Sequence, residues 1–276
     1  MEYRAIALDL DGTLLNSDKE ISKRNREAIQ KAAEAGVQII LASGRPIPGM
    51  KRIAHKLKLE EYGGYLLSYN GGMISNCSTG EVLRRETVPE ECYRVIVHTA
   101  NKHNVTALTY DADGIITTDE TDKFVQLEAK INSIPVKQVY PLDEVAKLDP
   151  PVKFLCVGEH KVLREVEAEL NEKLQGAVNV FFSEPFFMEI TPKGIEKASS
   201  LEFLLNRLDM DAKHLIACGD GYNDIPMMRY AGLAVAMENG QDETKQWADV
   251  IAPLNDEDGV AYIIEKYLLP QSRRCS

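Results

Sequence analysis

The sequence Asp9-Leu10-Asp11-Gly12-Thr13 follows a short apolar run, Arg4–Leu8, and sets two carboxylates at positions i and i+2. Side chains alternate along an extended chain with period two, so both acids can face one site as the chain leaves a strand. Gly12 lets the backbone turn and present its N–H groups, and a hydroxyl follows at Thr13. Paired carboxylates of this kind suit nucleophilic catalysis, general acid–base work or the holding of a hard cation. An EF-hand is excluded, because its loop needs Gly at the sixth position and Glu at the twelfth, and neither register fits.

Three further segments complete a candidate site. The run Val37–Ala42 ends in Ser43-Gly44-Arg45, where a hydroxyl and a permissive Gly suit a phosphate held by O–H and N–H donors. Arg45 either meets a leaving group or forms a structural ion pair. The run Leu215–Cys218 ends in Gly219-Asp220-Gly221-Tyr222-Asn223-Asp224, two more acids and an amide where a helix begins. Asp224 stands where the third Gly of a dinucleotide fingerprint belongs, which excludes that motif. Upstream, Lys193-Gly194-Ile195-Glu196-Lys197 brings a cation to another helix start. The set combines acids for a cation, donors for phosphate oxygens and one Lys to neutralise charge. Mg²⁺ prefers oxygen ligands and commonly sits between carboxylates and a substrate phosphate. There is no Gly-x-Ser-x-Gly, His-Glu-x-x-His or P-loop sequence. His98 and His103 are wrongly spaced to pair on one helix face, and all five His, Trp247 and Tyr222 read as ordinary packing or surface residues.

The elements that must position these residues form an alternating pattern of short β-branched runs and helical periodicity, the mark of an α/β protein with a mainly parallel sheet. Ser22 is a plausible N-cap of the first helix and Gly36 its stop. Asn70-Gly71-Gly72 reads as a turn, and Asp111-Ala112-Asp113-Gly114 as a hairpin turn. The texture changes from about Arg84, passes through a Pro-containing stretch at Pro135–Pro151, and returns to βα alternation after Pro192. The expected organisation is a discontinuous Rossmann-like core, residues 1–83 and 191–276, interrupted by an inserted α/β domain over residues 84–190.

The 276 residues carry 43 acidic against 32 basic side chains, a net charge of −11, which argues against salt-driven binding to nucleic acid or anionic lipid. No apolar run approaches the ~20 residues that span a bilayer, and the opening Tyr3–Asp9 has no leader pattern. Cys77, Cys92, Cys156, Cys218 and Cys275 are odd in number and scattered, which suits free thiols in a reducing compartment. The expectation is a cytoplasmic protein without membrane or nucleic-acid partners.

Asp9-x-Asp11-Gly12-Thr13, Ser43, Lys197 and Gly219-Asp220-x-x-Asn223-Asp224, in that order, resemble the four motifs of the haloacid dehalogenase superfamily. The large insertion between the second and third motifs makes the chain similar to the Cof-type subfamily with a C2B cap, which includes sugar phosphatases. The resemblance implies that Asp9 is the nucleophile and Asp11 the general acid and base, starting protonated near neutral pH. It further implies Mg²⁺ on the Asp9 side chain, the Asp11 carbonyl and Asp220, with Asp224 supporting the metal site and Lys197. Ser43, the Gly44 amide, Lys197 and Asn223 would hold phosphate oxygens, with Gly12 and Arg45 beside them. The implied activity is hydrolysis of small phosphorylated metabolites, sugar phosphates foremost, by a monomer or homodimer whose cap closes over the leaving group. A phosphomutase of the same superfamily and a non-catalytic sugar-phosphate-binding regulator are the alternatives, the latter disfavoured because a pure binder needs no Asp11.

Overall fold

The computed structural model describes residues 3–269; Cys275 lies outside them. The chain divides into two compact units, one of Met1–Arg45, Met50–Arg84 and Glu196–Ser276, the other of Pro46–Gly49 and Arg85–Ile195.

The first unit is built on an eight-stranded sheet in the order Val250–Ala252, Leu233–Met237, Leu215–Gly219, Ala5–Leu8, Gln38–Ala42, Tyr65–Ser68, Met73–Asn76 and Val82–Arg85. Ala5–Leu8 runs parallel to both of its neighbours, with Leu8 opposite Cys218 on one side and Leu41 on the other. Asp9, Ser43 and Asp220 therefore leave one edge of the sheet side by side. The chain passes from Ala5–Leu8 to one side of the sheet and later returns on the other, so this strand marks the switch point where open α/β sheets bind ligands. These runs lack alternation because both faces are covered: all four residues of Ala5–Leu8 are buried, as are Ile39 to Ala42. Burial of each such Ile or Leu contributes roughly 1.5–3 kcal/mol, which makes the sheet a firm base for the loops at its edge.

Helices cover the sheet for legible reasons. Ser22 caps Lys23–Glu34 through a bond from the Asn25 N–H, and Ala28, Ile29, Ala32 and Ala33 form its buried face. Helix Lys197–Arg207 buries Leu201, Leu204 and Leu205, and this apolar face fixes the position of Lys197 at its start.

The inserted unit has its own six-stranded sheet, in the order Val178–Glu184, Phe187–Pro192, Phe154–Val157, Thr106–Tyr110, Ile115–Thr117 and Val136–Gln138. All of its pairings are antiparallel except the last, in contrast to the first unit. Helices Glu90–Lys102 and His160–Leu174 contribute Tyr93, Ile96, Leu163, Val166 and Leu170 to a cluster with Phe154, Cys156, Met188 and Ile190. Glu189 alternates with Met188 and Ile190 and so points away from that cluster, toward an ion pair with buried Lys153 at 3.4 Å. Nearby polar groups are also buried: Tyr110 donates to Glu128 at 2.6 Å, and the Asn132 amide donates to the same carboxylate oxygen at 2.8 Å.

Some elements depart from the sequence pattern. The turn at Asn70-Gly71-Gly72 leads into a further strand, Met73–Asn76, paired antiparallel with Tyr65–Ser68. The stretch Pro135–Pro151 contains strand Val136–Gln138 and helix Leu142–Leu148, both too short to show a period. Val250–Ala252 also escapes the pattern, as a three-residue edge strand. The expected hairpin at Asp111–Gly114 is present, closed by the Asp111 N–H to the Gly114 carbonyl at 3.0 Å. Among the described residues the cysteines are free, and no helix is long and apolar enough to cross a membrane.

Candidate active site

The loop after Ala5–Leu8 is wound tightly. The Asp9 N–H continues the sheet by donating to the Cys218 carbonyl at 3.0 Å, and the Leu14 and Leu15 N–H groups fold back onto the carbonyls of Asp9 and Leu10 at 3.2 and 2.8 Å. Gly12 has a φ of 83°, and a Cβ there would collide with the Asp220 carboxylate, so only Gly serves. The loop is propped from behind by two residues that the motif reading missed. The Asn239 amide donates to the Gly12 carbonyl at 2.7 Å, and Asn255 donates from its backbone to Asn239 and from its side chain to the Leu15 carbonyl, both at 2.9 Å. Asn239 lies just beyond the carboxyl end of strand Leu233–Met237, a position where the switch-point rule directs attention.

Lys197 is 1% exposed and bridges two acids, its Nζ lying 2.6 Å from Asp9 Oδ1 and 2.6 Å from Asp224 Oδ1. Burial alone would lower the Lys197 pKa, but the charges of Asp224 and Asp9 and their hydrogen bonds hold it above its ordinary value. For Asp9 the balance goes the other way: burial and the Asp224 charge push its pKa well up, against the opposing pull of Lys197. One ammonium is thus shared by two buried carboxylates. The second oxygen of Asp224 accepts the N–H groups of Asp220 and Gly221 at 2.9 and 3.0 Å. Both Asp224 oxygens are therefore committed to holding Lys197 and the Asp220 loop.

Asp220 completes the acidic group. One of its oxygens accepts the Thr13 hydroxyl at 2.8 Å. Burial pushes the Asp220 carboxyl up to about 6, opposed by the Thr13 bond and Lys197 and aided by the charges of Asp224 and Asp11. Carboxylate oxygens of Asp9, Asp220 and Asp224 lie within 4.8 Å of one another. Among the described residues, the second oxygens of Asp9 and Asp220 accept no hydrogen bond. Such crowded and undercompensated anionic oxygens fit a hard divalent cation such as Mg²⁺, with Asp9 and Asp220 as the open donors and Asp224 behind them.

Asp11 has other company. Arg45 grips it in a two-pronged ion pair, Nε to Oδ2 and an Nη to Oδ1 at 2.7 Å each, and Lys19 Nζ adds a contact at 3.0 Å. The expectation of an Asp11 that starts protonated meets an opposing pull from these two cations. Burial would raise its pKa, but Arg45 and Lys19 together outweigh that and hold it below the ordinary carboxylate value. Its carboxylate is not among the Asp9, Asp220 and Asp224 oxygens that gather within 4.8 Å of one another. Of the two readings of Arg45, the ion pair is the one observed, and its partner is the second Asp of the motif.

The remaining donors gather around a turn. Ser43 is buried, and its hydroxyl accepts the Arg45 N–H at 3.2 Å while its backbone N–H continues the sheet to the Leu67 carbonyl at 2.9 Å. Asn223 lies in the short turn Tyr222–Asp224, and its amide donates to the Asn70 side-chain oxygen at 3.1 Å. Asn70 in turn donates its backbone N–H to the Ser43 carbonyl at 2.9 Å and packs against Gly44. Asp9, Lys197, Asp220 and Asp224 thus form one contact cluster, Asp11 and Arg45 a second, and Ser43, Gly44 and Asn223 a third joined by Asn70.

A family model described as haloacid dehalogenase-like hydrolase matches residues 6–264. A haloacid dehalogenase-like hydrolase of Bacteroides thetaiotaomicron superposes with a TM-score of 0.92 at 44% identity, over 96% of this chain and 99% of that one. The 5-amino-6-(5-phospho-D-ribitylamino)uracil phosphatase YcsE of Bacillus subtilis is 29% identical over 98% of this chain and 97% of its own length. An HMP-PP phosphatase of Yersinia pseudotuberculosis is 29% identical over 96% of each chain.

Proposed function

This chain belongs to the haloacid dehalogenase-like hydrolases, and from that membership we propose a Mg²⁺-dependent phosphatase that cleaves small phosphomonoesters, sugar phosphates foremost, through an aspartyl-phosphate on Asp9. The observation that carries the reading is the buried Asp9–Lys197–Asp224 bridge with Asp220 beside it. Such an arrangement leaves one oxygen of Asp9 without a hydrogen bond and keeps a fixed cation next to it.

The chemistry divides into two steps. Asp9 attacks phosphorus while the bond from phosphorus to the leaving oxygen breaks, and water then cleaves the aspartyl-phosphate. Lys197 offsets repulsion between the carboxylate and the incoming phosphate, and Asp224 holds Lys197 in place. Once the substrate displaces its Arg45 pairing, Asp11 takes up a proton, gives that proton to the leaving oxygen and later takes one back from the attacking water. Ser43, the Gly12 and Gly44 N–H groups and Asn223 hold the outer phosphate oxygens, where the loose transition state spreads its charge. Mg²⁺ bound by Asp9, Asp220 and the Asp11 carbonyl would supply the remaining neutralisation of those oxygens.

The two phosphatases described above differ in the substrate named, which supports placing discrimination outside the motif residues. We assign it to the inserted unit at residues 84–190, as the specificity element of a monomer or homodimer working in the cytoplasm. The test is a phosphate-release screen over phosphorylated sugars, nucleotides and cofactors, with and without Mg²⁺. The expected result is Mg²⁺-dependent release, highest among sugar phosphates and lost in Asp9→Asn. Release by Asp9→Asn at the wild-type rate would overturn the mechanism, and a strict preference for nucleotides would overturn the substrate class.

A further inference from the structure

Three successive residues in the turn after strand Tyr65–Ser68 have left-handed backbones: Tyr69 at φ 54°, Asn70 at 55° and Gly71 at 99°. Side chains make this region costly, and Asn is among the few residues other than Gly that visit it readily. A turn that needed only this shape would be served by Gly at the middle position. Asn70 instead adds an amide, and that amide is used: its oxygen accepts the Asn223 side chain at 3.1 Å.

The turn is also where the site's loops are tied together. The Asn70 N–H donates to the Ser43 carbonyl at 2.9 Å, and the Tyr69 N–H to the Arg45 carbonyl at 3.1 Å. The Asn70 amide nitrogen lies 3.2 Å from where a Cβ of Gly44 would stand. The Ser200 hydroxyl, one turn along the helix that Lys197 opens, donates to the Gly71 carbonyl at 2.7 Å. A Cβ at Gly71 would strike that hydroxyl and the Glu196 carbonyl. One three-residue turn therefore touches the Ser43–Arg45 loop, the Asn223 loop and the Lys197 helix.

We infer that Asn70 is a positioning residue for phosphate binding, its side-chain oxygen fixing the Asn223 amide while its backbone fixes the Ser43–Gly44 segment. The inference rests on the phosphatase reading, since it assumes that Asn223 and Ser43 meet phosphate. Asn70 orders these donors before an anion arrives, so the cost of arranging them is not charged to binding.

The variant Asn70→Gly removes the amide and keeps the left-handed backbone without strain. Inorganic phosphate is titrated calorimetrically, in Mg²⁺ buffer, into wild type, Asn70→Gly, Asn223→Ala and the double variant, with Tm recorded for each. Positioning predicts that Asn70→Gly binds phosphate about tenfold more weakly at nearly unchanged Tm. It also predicts that the double variant binds within about twofold of Asn223→Ala, because the two residues act as one unit. Wild-type affinity in Asn70→Gly, or losses that multiply in the double variant, would overturn the inference. Should Asn70→Gly fail to fold, Asn70→Ala takes its place in the same cycle: a tenfold loss that disappears on the Asn223→Ala background upholds the inference, and an unchanged affinity overturns it. Phosphate release by wild type, silenced by Asp9→Asn, tests the phosphatase reading separately; release together with wild-type phosphate affinity in Asn70→Gly would sink the positioning role alone.

Discussion

Asp9 and Asp11 stand two residues apart on one loop and occupy opposite electrostatic surroundings. Asp9 shares a single buried ammonium with Asp224, and its pKa is driven up. Asp11 is paired with the Arg45 guanidinium and with the Lys19 ammonium, its side chain is 40% exposed, and its pKa is driven down. One carboxylate is held under-neutralised in a dry place, which favours uptake of a cation or attack on an electrophile. The other is ion-paired to two cations and partly open to solvent, so the proposed proton transfer requires it to change partners. The difference teaches that strand alternation can bring two acids to one edge while their roles are set by which cations the rest of the fold sends there.

The largest effect expected from breaking this contrast is at Asp9. Asp9→Asn keeps the shape and removes the proposed nucleophile, so phosphate release should fall by on the order of 10⁴-fold or more in a steady-state assay, with thermal stability retained. Lys197→Met comes next. It leaves Asp9 and Asp224 facing each other in a buried site without their shared cation, which should cost roughly 3–5 kcal/mol in a denaturant titration as well as activity. Asp220→Asn should shift half-maximal Mg²⁺ activation upward by about 10–100-fold while saturating Mg²⁺ recovers part of the rate, measured by titrating the metal. A smaller effect on stability is expected for Arg45→Gln, about 1.5–3 kcal/mol, because Arg45 is largely buried while Asp11 remains in contact with solvent. Equal losses of stability in Lys197→Met and Arg45→Gln would erase the contrast between the two clusters.

Much of this arrangement was legible in the sequence because it is written in local signals. Acids, a hydroxyl and an amide stand at the ends of apolar runs, and parallel pairing carries those ends to one edge. Lys197 is legible as a helix-start cation, but its two partners lie 188 and 27 residues away, and only packing of Leu201, Leu204 and Leu205 fixes that meeting. The pairing of Asp11 with Arg45 and Lys19 was not legible, because the two cations reach it from 34 and 8 residues along the chain with no spacing signal. Asn70 presented only a turn signal, and Asn239 and Asn255 none, since a single amide contact leaves no period or spacing. In the inserted unit, Val136–Gln138 and Leu142–Leu148 were missed for a related reason: both are shorter than the windows over which periodicity can be read.

The central claim is that Asp9 carries the phosphoryl group. It is tested most directly by mixing the protein with Mg²⁺ and a phosphomonoester that it turns over, quenching in acid within the turnover time, and analysing the peptides by mass spectrometry. The account predicts one added phosphoryl group on the peptide containing Asp9, labile to hydroxylamine and absent from Asp9→Asn. Phosphorylation of another residue, or Asp9→Asn turning over with no phosphopeptide at all, would contradict it.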